Sequence, residues 1–207
     1  MFFLTNKIEF PKVTEASYDG LLAIGGDLGP ERLLHAYNSG IFPWFEDEEP
    51  ILWWSPDPRF VIFPDELKVS KSMKQLFKKD KFKVTKNKDF RSVITNCSEA
   101  YREGQKGTWI TENMIEAYIK LHELGYAISV EVWEDKTLVG GLYGVDVGNG
   151  VFCGESMFTK VSNASKYGFI EFVKHSNYKL IDCQLHTNHL ESLGGKHISR
   201  KAFLQFL

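Results

Sequence analysis

Ala127-Ile-Ser-Val-Glu-Val-Trp133, Leu138-Val-Gly-Gly-Leu-Tyr-Gly-Val-Asp-Val147 and Val151-Phe-Cys-Gly-Glu-Ser-Met-Phe158 decide the fold. Each segment alternates or runs apolar, and the separators are Glu-Asp-Lys-Thr and Gly-Asn-Gly. That pattern predicts an antiparallel three-strand meander. Gly140, Gly141 and Gly144 fall inside the middle strand, where glycine predicts a bulge or the close approach of another group. The third strand carries Glu155 between Gly154 and Ser156, with Phe152 and Met157 able to wall an apolar pocket. A further strand over Leu180–Leu185 carries Asp182 and Gln184. Burying such polar groups without partners costs roughly 2–7 kcal/mol each, so a fold keeps them only when they are paired or used.

Outward from the meander, helices flank the strands. Ser162-Asn163 opens one that runs to about Ser176, with Phe169, Phe172 and Val173 inward. The chain closes with a turn or helix at His189–Leu193 and a helix from about Ser199 to Leu207. Upstream, Thr111 caps a helix with Met114, Ile115, Tyr118 and Leu121 at helical spacing, and Gly125 stops it. Asp89 caps another that runs to about Tyr101, ahead of a loop at Gly104–Gly107. Pro30 at a first helical position and Gly40 just past the end mark a helix over Pro30–Ser39, with Leu33, Leu34 and Tyr37 on its apolar face. A strand near Phe60–Phe63 closes a small first unit, dividing the chain into 1–62 and 63–207. The order is α+β, with a mainly antiparallel sheet flanked by helices.

Composition narrows the class. The 207 residues suit one large domain, or a main domain with a smaller one. No run of about 18 apolar residues suggests a membrane span, and Met1–Lys7 lacks the features of a secretory signal. Cys97, Cys153 and Cys183 are scattered, which fits structural thiols in a reducing cytoplasm. The histidines show no metal-ligand spacing, and no glycine-rich phosphate loop points to ATP or a dinucleotide. Net charge is −2, yet the window Lys68–Arg91 holds ten basic residues against two acids, a local +8 on a body of −10. Within it, Val69–Lys79 reads as a helix with Lys71, Lys74 and Lys78 on one side and Met73, Leu76 and Phe77 on the other. Such a stripe is either a solvated face or a track for a phosphate backbone. Trp44, Trp53 and Trp54 lie within eleven positions, as core packing or as a stacking surface for bases.

Asp182 and Gln184, two apart on a strand, share a face, while Cys183 points the other way. The pair is either structural or a site in which the Gln oxygen accepts a hydrogen bond from an attacking amine. Glu155 is either a surface carboxylate or a group that holds the ammonium of a bound aminoacyl moiety. A non-catalytic RNA-binding module and a CoA-dependent acyltransferase are the rival classes.

The ordered set Gly20-Leu-Leu-Ala-Ile-Gly-Gly-Asp27, Gly40-Ile-Phe-Pro-Trp44, Trp53-Trp-Ser-Pro-Asp-Pro-Arg59, Gly107-Thr-Trp-Ile-Thr111, Gly140-Gly-Leu-Tyr-Gly144, Gly154-Glu-Ser-Met-Phe158 and Ile181-Asp-Cys-Gln184 closely resembles the leucyl/phenylalanyl-tRNA–protein transferase family. The resemblance implies a small N-terminal domain and a C-terminal domain like the GCN5-type acetyltransferases. It implies transfer of Leu or Phe, and Met less well, from aminoacyl-tRNA to proteins with N-terminal Arg or Lys, with no cofactor or metal. By the same resemblance Gln184 engages the attacking amine, Asp182 supports it, and Glu155 positions the donor and the tetrahedral intermediate. Trp44 and Trp109 bracket the terminal adenosine and aminoacyl end. Phe152, Met157 and Leu142 lie near the side-chain pocket, and the helix bearing Lys71, Lys74, Lys78 and Lys79 contacts tRNA phosphates.

Overall fold

A computed structural model of the chain describes residues 2–100 and 108–207. The loop expected at Gly104–Gly107, and the Tyr101 end of the helix before it, lie outside those residues. The first unit holds β1 (Phe2–Leu4), β2 (Leu21–Gly25), α1 (Pro30–Asn38), β3 (Phe42–Pro43) and β4 (Leu52–Trp54). Its strands form a sheet in the order β1-β2-β4-β3. Helix α1 starts at Pro30 and is followed by Gly40 at φ 73°, a backbone that favours glycine.

The larger sheet begins with β5 (Arg59–Ile62). The strand at the end of the first unit thus belongs to the second sheet. There follow α2 (Lys71–Lys78), β6 (Lys83–Lys86), α3 (Phe90–Ser98) and α4 (Glu112–Glu123). The three capping side chains work as their residue types require: Ser70 accepts from the Met73 N–H, Asp89 from Ser92 and Thr111 from Met114. The meander is β7 (Ala127–Glu134), β8 (Thr137–Asp146) and β9 (Val151–Thr159), followed by α5 (Ala164–Lys174) and β10 (Leu180–Gln184). The chain then forms α6 (Asn188–Ser192), β11 (Lys196–Ile198) and α7 (Arg200–Phe203). The closing helix is shorter than expected and gives way to a turn after Phe203.

The strand order is β11-β5-β10-β9-β8-β7-β6, antiparallel except where β10 runs parallel to β9. Two apolar layers cover it. On one face α1, α3 and α4 bury Tyr37, Ile94, Met114 and Tyr118 against Tyr143, Val145, Cys153 and Leu180. On the other, Met73 of α2 and Phe169, Ile170 and Val173 of α5 cover Val130, Leu142, Phe152 and Ile181.

Two features of the ladder position the site. The β9–β10 pairing lasts three residues, Leu180 to Val151, Ile181 to Phe152 and Asp182 to Cys153, and the strands then part. The β8–β9 ladder shifts register between Tyr143 and Gly144. A Cβ on Gly144 would lie 2.2 Å from the Cys153 carbonyl oxygen and 2.5 Å from the Phe152 ring, so glycine there serves the close approach of β9. Gly144→Ala should therefore destabilise the protein by roughly 1–3 kcal/mol or more, read as a lowered thermal midpoint. A midpoint equal to that of the parent chain would rule out the close contact.

Candidate active site

The parting of β9 and β10 leaves an open cavity of about 600 Å³. Leu142, Phe152, Met157, Phe169 and Ile181 supply its apolar wall, and Glu155 and Gln184 stand on its lining. Phe152 and Met157, and Leu142 from the family resemblance, thus line one cavity. Trp44 and Trp109 are not among the lining residues. Trp44 is 37% exposed on the small sheet beside Trp54, whose indole N–H donates to the Trp44 carbonyl at 2.7 Å. Trp109 packs half-buried against the core just before α4. Trp53 is the fully buried member of the tryptophan cluster, and its N–H donates to the Gly25 carbonyl.

Simple alternation along β10 does not describe the polar groups. A register shift falls between Asp182 and Gln184, and Gln184 adopts φ 62°, left-handed backbone that costs a non-glycine residue on the order of 1–3 kcal/mol. Asp182 stabilises that turn, because its Oδ1 accepts the Gln184 backbone N–H at 2.9 Å. Asp182 is itself fully buried and receives Arg59 Nε at 2.8 Å and Nη2 at 2.7 Å. The Arg59 guanidinium lies 4.7 Å from the ring centroids of both Phe42 and Phe203. Asp182 therefore supports Gln184 through its main chain rather than through its carboxamide. The bulge also brings Cys183 onto the cavity wall, although alternation pointed it away. Burial pushes its thiol up, which disfavours a nucleophilic thiolate there.

The Gln184 carboxamide donates from Nε2 to Glu155 Oε1 at 2.7 Å, and the Tyr118 hydroxyl donates to Glu155 Oε2 at 3.1 Å. Tyr118 is in turn hydrogen-bonded to Tyr37. Sequence reasoning assigned Tyr37 and Tyr118 only to apolar helix faces and gave Arg59 no role. A usable signal existed for the tyrosines, since a buried phenol needs a partner for its hydroxyl. Glu155 is 9% exposed, and burial pushes its carboxyl up to about 7 against the hydrogen bonds it accepts. The arrangement is an apolar slot with an uncharged hydrogen-bonding group aimed into it. Among the described residues, no group of three or more His, Cys, Asp or Glu could hold a metal ion, and no helix is long and apolar enough to cross a membrane.

A slot with that polar rim suits acyl transfer to an amine, and comparison with known proteins defines the class as aminoacyltransferase. The family model for leucyl/phenylalanyl-tRNA protein transferase matches residues 61–207, and the model for its N-terminal domain matches residues 26–57. Relatives named leucyl/phenylalanyl-tRNA–protein transferase include one from Flavobacterium johnsoniae, 60% identical over 100% of this chain and 99% of its own. Others are one from Christiangramia forsetii, 54% identical over 100% of both chains, and one from Pseudomonas fluorescens Pf0-1, 54% identical over 98% and 91%. This chain belongs to the leucyl/phenylalanyl-tRNA–protein transferase family. Among solved structures, a Bacteroides thetaiotaomicron protein of unknown function is 13% identical, with a TM-score of 0.48 over 72% of this chain and 55% of its own. A GCN5-related N-acetyltransferase from Kribbella flavida is 12% identical, with a TM-score of 0.39 over 81% and 60%. Likenesses that slight carry no weight for the reaction.

The raised carboxyl has a consequence for stability. The folded state holds the Glu155 proton more tightly than the unfolded chain does, from 4.5 up to about 7. This contribution is fully present below the ordinary carboxyl pKa and is lost as pH rises through the folded value. Glu155→Gln should remove a fall of about 3 kcal/mol between pH 4.5 and pH 7. Urea unfolding at pH 4.5 and pH 8 checks this, and parallel pH dependences in the two proteins would contradict it.

Proposed function

We propose that this chain moves Leu or Phe, and Met less well, from aminoacyl-tRNA to the N-terminal Arg or Lys of acceptor proteins. The product is marked for degradation in the cytoplasm by the N-degron route. What carries the reading is the Gln184 carboxamide. With Nε2 given to Glu155, its carbonyl oxygen is left to meet an incoming amine. The aminoacyl side chain sits against Leu142, Phe152 and Met157, and one methylene in such an apolar slot is worth roughly 1–3 kcal/mol, which fits a modest preference among related side chains.

The chemistry needs no activation beyond the ester already present. The acceptor nitrogen attacks the ester carbonyl carbon, with one of its N–H groups held by Gln184 Oε1. The C–N bond forms, the bond to the ribose oxygen breaks, and the amine proton leaves with that oxygen. A neutral carboxamide is no base, so its contribution is orientation. Asp182 acts one step back, through the Gln184 main chain. Trp44 and Trp109, outside the cavity lining, serve as platforms for the terminal adenosine. Lys71, Lys74, Lys78 and Lys79 are all exposed on or next to α2, and they meet the tRNA phosphates.

Purified protein given labelled Phe-tRNA and a peptide beginning with Arg should move the label to the peptide. Label that stays on the tRNA would refute the reading. For the stripe, Lys71, Lys74 and Lys78 changed together to Glu should weaken tRNA binding. The slope of log affinity against log salt should become shallower by about 2 to 3. An unaltered slope would assign these lysines to solvent.

A further inference from the structure

We propose that Tyr118 and Tyr37 are positioning residues for the transfer: through Glu155 they dictate which end of the Gln184 carboxamide faces the cavity. The proposal rests on the reading of Gln184 given above.

A carboxamide has two ends of nearly equal shape and opposite hydrogen-bonding character. Only the oxygen can accept from an attacking amine. The amino end, turned to the same place, would donate to the amine lone pair and blunt its attack. Something must select the orientation, and the Glu155 carboxylate does so. Ionised, it can only accept, so it takes Nε2 at 2.7 Å and leaves the oxygen free. Protonated on that oxygen, it could hold the carbonyl end instead.

The two phenols bias this choice toward the carboxylate. Tyr118 donates to the second oxygen of Glu155 at 3.1 Å. With its proton given to Glu155, Tyr118 has its oxygen left for Tyr37, and the Tyr37 hydroxyl also favours the ionised Glu155 directly, so both phenols act on the carboxylate. Both rings are fully buried, and burial pushes both hydroxyls up, so they remain donors. Other ionisable groups around the carboxyl are Cys153 on β9, whose thiol burial also pushes up, and Asp182, which Arg59 holds. Tyr37 lies on α1, so the first unit of the chain contributes a side chain to the hydrogen-bond network around Glu155.

Turnover of Phe-tRNA with an Arg-initiated peptide, measured from pH 6 to pH 9, tests the proposal. Tyr118→Phe should lower kcat on the order of tenfold, as expected for loss of one charge-assisted hydrogen bond. KM for Phe-tRNA should stay unchanged, and the acidic limb of the kcat profile should move to higher pH. Tyr37→Phe should shift the limb the same way, and it carries the test alone if Tyr118→Phe yields no folded protein. In a Gln184→Ala background neither change should slow turnover further, because both act through that side chain. Tyrosine variants whose pH profiles superimpose on that of the parent, or whose losses add fully to that of Gln184→Ala, would overturn the proposal. If Gln184→Ala itself turns over at the parental rate, the reading of Gln184 fails, and that failure is distinct from failure of the relay alone.

Discussion

Arg59 and Asp182 form a buried bidentate ion pair between β5 and β10. Much of the molecule is arranged around it. The Asp182 carboxylate has a second task, because Oδ1 also takes the Gln184 N–H. The guanidinium sits between Phe42 of the small sheet and Phe203 of α7, and its Nη1 reaches the Gly40 carbonyl at 3.4 Å. One pair of charges thus ties together the first unit, the large sheet, the C-terminal helix and the main chain of the proposed amine-binding residue. Removing one partner of such a pair strands a charge in the core, at a cost of about 3–5 kcal/mol. Its worth to the fold is less a net gain than a penalty on every arrangement in which β5 and β10 are misaligned.

The same economy governs the polar groups above it. Glu155 sits where water is scarce, so each oxygen needs a donor, and it receives one from β10 and one from α4. Glu131 shows the same logic without any cavity. It is fully buried on β7 and accepts from Thr85, Ser129 and the Lys88 and Asp89 backbone N–H groups. The fully surrounded carboxylate anchors a loop. The one at the edge of a slot is left with a side chain whose free end can meet a reactant. Local satisfaction is common to both, and position relative to the opening separates them.

Much of this architecture was legible from residue patterns. The meander, the caps at Asp89 and Thr111, the stop at Gly125 and the bulge-prone glycines of β8 rest on rules within a few residues of chain, and such rules transfer well. Phe152 and Met157, read from their place beside polar residues in an apolar strand, line the cavity together with Leu142, which only the resemblance implied. What stayed hidden depended on distant parts of the chain meeting. Arg59 and Asp182 are 123 positions apart, and Tyr37 and Tyr118 are 81 apart. The left-handed backbone at Gln184 was equally hidden, since nothing in Ile181-Asp-Cys-Gln184 announces a residue type that favours it. The period of two that assigns strand faces holds only while the ladder is regular, and β10 leaves it at the residue that matters.

The separation of β9 from β10 also bears on how the slot can change shape. The recess opens where the two main chains stop pairing, beyond Asp182 and Cys153, although Phe152 and Ile181 on its wall still belong to a paired rung. Leu142 and Phe152 are fully buried in the core, whereas Met157 is only partly buried, so Met157 is the wall residue that can change size with the least repacking. A change in the shape of the slot thus has its least costly route through one thioether at the rim, with the Glu155–Gln184 contact left in place.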